Sequence, residues 1–276
     1  MEELKGKLEH LRSFIRETGK DGVVIAFSGG VDSSTLAAVT HEVLGEKTVA
    51  VIAKSPTYTS EELETAKKVA QEIGIKLLII ETDELSNENF SRNPENRCYY
   101  CKKELLKNLS DFAYGLGFKA VYEGTNFSDL RDHRPGFKAV SEAKNVYSPW
   151  MTSKFTKDEI RQIAKSIGLS VYDKPALACL ASRVPFNERI TREKLARVEG
   201  AEQAVKALTG VKQVRVRDHN GLARIEVGKA ERGVFCNIDV LDHVAESLKK
   251  LGFKYVTFDI EGYQSGSMLK TLDSQK

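Results

Sequence analysis

No apolar run in these 276 residues approaches the length of a membrane span. A secretory leader is not expected: Met1-Glu2-Glu3-Leu4-Lys5 reads as the start of a charged amphipathic helix. Net charge is only +3, which makes no strong electrostatic case for a nucleic-acid partner. Cysteine is sparse, with Cys98, Cys101, Cys179 and Cys236 making up all four. In a chain read as cytoplasmic, such cysteines suggest metal binding or catalysis before disulfides. There is no internal repeat and no Walker A loop, because Gly45-Glu46-Lys47-Thr48 lacks the G-x-x-x-x-G-K-[ST] spacing. What is there, 41% apolar and 29% charged residues, is a globular composition with room for one large domain or two modest ones.

The most informative stretch is Ser28-Gly29-Gly30-Val31-Asp32-Ser33. It follows the short apolar run Val23-Val24-Ile25-Ala26-Phe27, which reads as a buried strand, and precedes Ser34-Thr35-Leu36-Ala37-Ala38-Val39, which reads as a helix start. A strand, a Gly-rich turn and a helix N-terminus make an anion site from backbone N–H groups and the helix dipole. Ser28 and Ser33 add hydroxyls, Gly29 and Gly30 allow close approach, and Asp32 is a candidate Mg²⁺ ligand. The bland alternative is a glycine turn between strand and helix. The S-G-G-x-D-S loop resembles the pyrophosphate loop of the N-type ATP pyrophosphatases, which implies ATP binding and adenylation of a substrate oxygen.

Residues 1–18 are expected to form a helix, and strands are expected at 23–27, 48–53, 76–81 and 119–123. Thr59-Ser60-Glu61-Glu62 and Thr156-Lys157-Asp158-Glu159 have capping-box spacing and open helices to about 73 and 167. Another helix is expected over 102–116, which leaves Cys98-Tyr99-Tyr100-Cys101 in a loop. Strands alternating with helices imply an α/β fold with a parallel sheet covered on both faces. Ligands in such sheets sit at the carboxyl ends of strands, where the phosphate loop and Gly124-Thr125-Asn126-Phe127-Ser128-Asp129 both fall. After residue 190 a helix (191–208), a hairpin turning at Asn220-Gly221, a helix (229–251) and a strand (255–260) predict a smaller C-terminal α+β domain. The expected division is 1–187 and 188–276.

The C-x-x-C pair admits a redox couple, half a zinc site or part of an iron–sulfur site. No second C-x-x-C completes a zinc ribbon, and Cys179 is the natural third ligand. Its alternative is a small buried hydrophobe, and Cys236 reads as core or incidental. Trp150, the only tryptophan, reads as core rather than a stacking platform.

The loop 28–33, the run Glu123-Gly124-Thr125-Asn126-Phe127-Ser128-Asp129-Leu130-Arg131-Asp132-His133-Arg134-Pro135-Gly136, the segment 174–185, and Val214-Arg215-Val216-Arg217-Asp218-His219 together resemble the LarE family of ATP-dependent sulfur transferases. The resemblance covers nearly the whole chain. It implies the fold of the PP-loop ATP pyrophosphatase (adenine nucleotide alpha hydrolase-like) type. It also implies an enzyme that adenylates a pyridinium carboxylate mononucleotide with MgATP and converts its carboxylates to thiocarboxylates, as needed for the nickel-pincer nucleotide of lactate racemase. One branch of the family spends a single cysteine as sulfur donor, and another holds a [4Fe–4S] cluster on three cysteines. Cys98, Cys101 and Cys179 imply the cluster branch, fed by sulfide or another sulfur donor, and the family implies a homo-oligomer.

Within that resemblance Ser28, Gly29, Gly30, Asp32, Ser33, Gly124, Asn126 and Asp129 are the expected ATP-binding residues. Arg134, Arg183, Arg215 and Arg217 are the expected substrate ligands; Arg215 and Arg217 are two apart on a strand and so share a face. Glu202 falls where the family keeps an acidic residue near the site, although a solvated helix charge is the plainer reading. Asp132 joins Asp129 and Arg134 as a candidate for the cleft, and His219 reads as a proton shuttle or a turn cap. The competing readings are a tRNA-thiolating enzyme, an ammonia-using synthetase of the GMP or NAD type, and a nucleotide sensor or sulfur carrier.

Overall fold

The computed structural model describes residues 2–131, 136–175 and 178–270. The helices are α1 (Glu2–Thr18), α2 (Val31–Leu44), α3 (Ser60–Ile73), α4 (Glu88–Ser91), α5 (Arg97–Gly115), α6 (Gly136–Glu142), α7 (Pro149–Thr152), α8 (Lys157–Ser166), α9 (Arg192–Thr209) and α10 (Ile238–Lys250). The strands are β1 (Val23–Ala26), β2 (Thr48–Lys54), β3 (Lys76–Glu81), β4 (Ala120–Tyr122), β5 (Val146–Tyr147), β6 (Val214–His219), β7 (Leu222–Val227) and β8 (Tyr255–Phe258). Two compact units result: Met1–Glu84 with Asn96–Leu177, and Leu85–Glu95 with Ala178–Lys276. No helix among the described residues is long and apolar enough to cross a membrane.

The first unit is built on a five-stranded sheet in the order β3-β2-β1-β4-β5, parallel throughout. Side chains alternate across it. Val23 and Ile25 join Leu11 and Ile15 of α1, Leu36 of α2, Val69 of α3 and Ile160 of α8. Val24, Val49, Val51 and Val121 pack against Leu109 and Ala113 of α5 on the other face. Burial on both faces explains why β1 and β2 are near-continuous Val/Ile/Ala runs. Both expected capping boxes form, Thr59 with Glu62 and Thr156 with Glu159. The chain leaves β1 toward β2 and β3 and returns to β4 on β1's other side. That reversal opens a crevice at the carboxyl end of β1.

The second unit carries a three-stranded sheet in the order β6-β7-β8, with β6 and β7 antiparallel and β8 parallel to β7. The segment 85–95 belongs to it by backbone bonds: Asn187 N donates to Asn93 O at 2.9 Å, and Ile190 N to Ser91 O at 2.8 Å. Two expectations need correction. The C-x-x-C is not in a loop: α5 begins at Arg97, so Cys98 and Cys101 stand one turn apart in its first turns. The helix expected over 229–251 is broken. A 3₁₀ stretch (Lys229–Cys236) ends at Asn237, whose side chain accepts from Asp239 N and starts α10 afresh.

Candidate active site

The phosphate-type loop is braced from within. Ser28 N donates to Ser33 Oγ at 3.1 Å, the two hydroxyls meet at 3.0 Å, and Ser33 Oγ donates to Gly30 O at 3.2 Å. The Tyr58 hydroxyl holds the Ser28 carbonyl at 2.7 Å. Gly29 has φ +66°, and a Cβ there would lie 2.6 Å from the Ala66 backbone. Gly124 lets the chain after β4 run beside the start of α2, since a Cβ would come within 3.2 Å of Ser33 N. Gly30 caps α2 without any side-chain cap, so the first-turn N–H groups are not claimed by a protein side chain there.

A cavity of about 330 Å³ opens in front of this loop, entirely within the first unit. Ser28, Gly30, Asp32 and Ser33 line it from β1, Gly124 and Asp129 from β4, Ser55 and Thr57 from β2, Glu84 from beyond β3, and Cys101, Lys102 and Leu105 from α5. Asp32 accepts from Asn126 Nδ2 at 3.2 Å and pairs with the ammonium of Lys157. Asn126 is buried and held by its own loop: its N–H donates to Asp129 Oδ2 at 3.0 Å, and its Oδ1 accepts from Ser128 N at 2.9 Å. Asp129 therefore both structures the loop and lines the cavity. Trp150 is fully buried, as expected of core, and its indole donates to Asp32 O at 3.0 Å.

Glu123, at the end of β4, is 1% exposed and pairs with Lys102 Nζ at 2.9 Å. Thr125 and Ser148 also donate to it. Burial pushes its carboxyl up, but Lys102 and these hydroxyls outweigh that and hold it below the usual carboxylate range. Lys102, Lys157 and Tyr58 were not anticipated. The only available signal for Lys157 was its place as the first helical residue after the Thr156 cap.

In the second unit the expected residues form a charged network. Arg183 grips Glu202 in a two-point fork, Nε to Oε1 at 2.8 Å and Nη2 to Oε2 at 2.9 Å, and also donates to Cys179 O. Glu202 accepts from Val216 N at 3.0 Å as well, so it is a buried, fully engaged carboxylate rather than a solvated helix charge. Arg217 donates to Glu226 Oε2 at 2.7 Å and to Ser182 O at 3.1 Å. Arg215 differs. It is 7% exposed, donates to Val214 O, lies over the Tyr263 ring at 5.4 Å, and has no carboxylate partner among the described residues. Burial and neighbouring Arg183 pull its pKa down, against the opposing pull of Glu202. His219 accepts from Arg224 Nε, while the turn is capped by Asp218, which accepts from Gly221 N.

None of the four cysteines is in a disulfide. Cys179 is exposed at the start of a 3₁₀ turn, and Cys236 is exposed, which removes its core reading. Among the described residues no three His, Cys, Asp or Glu side chains are gathered closely enough to hold a metal ion; Cys98 and Cys101 belong to the first unit and Cys179 to the second. Asp132 and Arg134 lie outside the described residues.

A parallel sheet covered on both faces, with this loop and an uncapped helix start at its central strand, defines an α/β enzyme of the PP-loop ATP pyrophosphatase class. Residues 3–108 match the NAD synthase family. The chain is 46% identical to Uncharacterized protein slr1717 of Synechocystis sp., over 98% of this chain and 99% of that one. It is 38% identical to pyridinium-3,5-bisthiocarboxylic acid mononucleotide synthase of Lactiplantibacillus plantarum, over 91% of this chain and 90% of that one. It is also 30% identical to the NH(3)-dependent NAD(+) synthetase of Pyrococcus horikoshii, over 59% of this chain and 63% of that one. The chain belongs to the LarE family.

Proposed function

We propose that this enzyme binds MgATP in the cavity at the carboxyl end of β1 and inserts sulfur into a pyridinium dicarboxylate mononucleotide. The observation that carries the reading is the open loop of Ser28, Gly29, Gly30 and Ser33 beside an uncapped α2. The 38% identity to the Lactiplantibacillus synthase supports the substrate class. A substrate carboxylate oxygen attacks the α-phosphorus of ATP, the bond to the β-phosphate bridge breaks, and pyrophosphate leaves. A sulfur nucleophile then attacks the acyl carbon, the acyl–oxygen bond breaks, and AMP departs with its electron pair, leaving a thiocarboxylate.

The loop N–H groups and the two serine hydroxyls suit the departing pyrophosphate. Asp32 would hold Mg²⁺, which supplies charge neutralisation at the phosphates, and Lys157 would exchange its Asp32 contact for a phosphate oxygen. Gly124 and Asn126 keep the β4 side of the crevice close and rigid. In the second unit we assign the substrate phosphate to Arg215, the buried guanidinium without a carboxylate partner, with Arg217 beside it on β6. Glu202 and Arg183 are positioning residues for that pair.

The sulfur source is the finer question. If Cys98 and Cys101 of the first unit and Cys179 of the second hold a [4Fe–4S] cluster, it would supply an iron open to an extra sulfide. The first test is turnover with MgATP and the pyridinium mononucleotide. AMP, pyrophosphate and a thiocarboxylate product are expected, and ATP left intact beside unchanged substrate sinks the reading. Iron and acid-labile sulfide after anaerobic purification then decide the source. About four irons per chain, lost on Cys98→Ala, Cys101→Ala or Cys179→Ala, support the cluster. No iron after reconstitution, with a loss of one H₂S from Cys179 after turnover, makes Cys179 a sacrificial donor.

A further inference from the structure

The phosphate-type loop is braced from outside by a residue that none of the chemistry above uses. Tyr58 sits in the short connection between β2 and α3, two residues before α3 begins. Its hydroxyl donates to Ser28 O at 2.7 Å, and no backbone N–H among the described residues donates to that carbonyl. The side chain is itself anchored. Its ring packs against the hydrophobic core shared by β1, α2 and α3, and its neighbour Thr59 forms the capping box with Glu62. Burial and the Glu62 charge push the phenol well above its ordinary value, so the hydroxyl stays a donor throughout the neutral range.

The carbonyl that Tyr58 holds lies at the hinge of the loop. The Ser28–Gly29 peptide turns by changing ψ of Ser28 and φ of Gly29, and glycine takes φ of either sign at little cost. Gly29 stands at φ +66°. Packing of Gly29 on Ala66 sets the distance between the loop and α3, and the Tyr58 bond sets which way the peptide faces. Ser28 before this peptide and Gly30 after it both line the cavity, with Asp32 and Ser33 further on. A turned peptide would shift these groups relative to one another and scatter donors that must converge on one anion. We propose that Tyr58 is a positioning residue, holding the loop in its anion-binding shape through the Ser28 carbonyl, an inference that rests on the reading of this cavity as an ATP site. The single proton of the hydroxyl is committed to Ser28, so Tyr58 has none to offer a phosphate and acts through the loop.

The test is equilibrium binding of MgATP, magnesium pyrophosphate and AMP to wild type and to Tyr58→Phe, which keeps the ring and removes only the hydroxyl. The variant is expected to bind MgATP and pyrophosphate about threefold to tenfold more weakly, the worth of one hydrogen bond. AMP has neither the β- nor the γ-phosphate and should bind the variant as it binds wild type. A loss shared equally by AMP makes the hydroxyl a support of the whole cavity and overturns the inference. A loss on MgATP that pyrophosphate does not share overturns it too. If wild type binds MgATP and Tyr58→Phe binds all three ligands no differently, only this inference falls. If wild type binds neither MgATP nor pyrophosphate, the ATP reading falls and takes it along.

Discussion

The two halves of the candidate machinery handle charge in opposite ways. In the first unit Asp32 and Lys157 meet at the rim of an open cavity, each about a quarter exposed, beside a helix end left uncapped. In the second, Arg183 with Glu202 and Arg217 with Glu226 are buried pairs held by protein partners, with only Arg217 Nε of the two guanidiniums left without a hydrogen-bond acceptor. An exposed pair is cheap to break and reform, as a ligand exchange requires. A buried pair is not, because removing one partner strands the other charge in a poorly solvated place. The first arrangement suits residues that change partners during a reaction, and the second suits a frame that holds one unpaired guanidinium, Arg215, in place.

The sharpest way to break the comparison is Glu202→Ala. It strands Arg183 and also deprives Val216 N of its acceptor, so a stability loss of about 3–5 kcal/mol is expected in urea unfolding. A loss under about 1 kcal/mol would mean the pair is no frame at all. Asp32→Asn should do the reverse. Its stability cost stays within about 1 kcal/mol, since the Lys157 pair is partly exposed, while turnover of MgATP falls on the order of 10²–10³-fold. Near-normal turnover in that variant would remove Asp32 from the phosphate site.

Arg215→Met separates frame from function within one unit. It takes away a buried charge with no carboxylate partner, so the urea midpoint should hold or rise. The KM for the mononucleotide should meanwhile rise about tenfold to a hundredfold, the worth of a charged hydrogen bond. A marked loss of stability with unchanged KM would make Arg215 part of the frame instead.

The same contrast governs what was legible in the sequence. The site on β1 and α2 is local: strand, loop and helix start are contiguous, and pattern plus turn chemistry is enough to read them. The helices opened by Thr59 and Thr156 were legible for the same reason. The start of α5 was not, because Asn96 makes no side-chain cap and the Cys-Tyr-Tyr-Cys run has no apolar periodicity. β5 has only two residues and depends on β4 for its existence. The pairing of Lys157 with Asp32 spans 125 positions, and no spacing rule reaches that far. Glu202 reads as a solvated charge in the sequence because its burial is decided by β6 packing on α9.

The smallest effect sharpens the frame at its edge. His219 is partly buried at the end of β6 and accepts from Arg224 Nε at 3.2 Å. Burial and the Arg224 charge hold its pKa below the ordinary histidine value of 6.5. The folded state therefore favours the neutral ring, and the unfolded chain takes up the proton first as pH falls. The stabilisation is fully present above about pH 6.5 and is lost as pH drops from there toward the folded pKa. His219→Gln keeps an acceptor for Arg224 but cannot titrate. Wild type should lose stability relative to this variant between pH 7.5 and 5.5, by about 1 kcal/mol or less, with the other four histidines cancelling in the difference. A difference that does not change with pH would mean the folded and unfolded chains bind the proton equally well, and that the frame ends before β6 does.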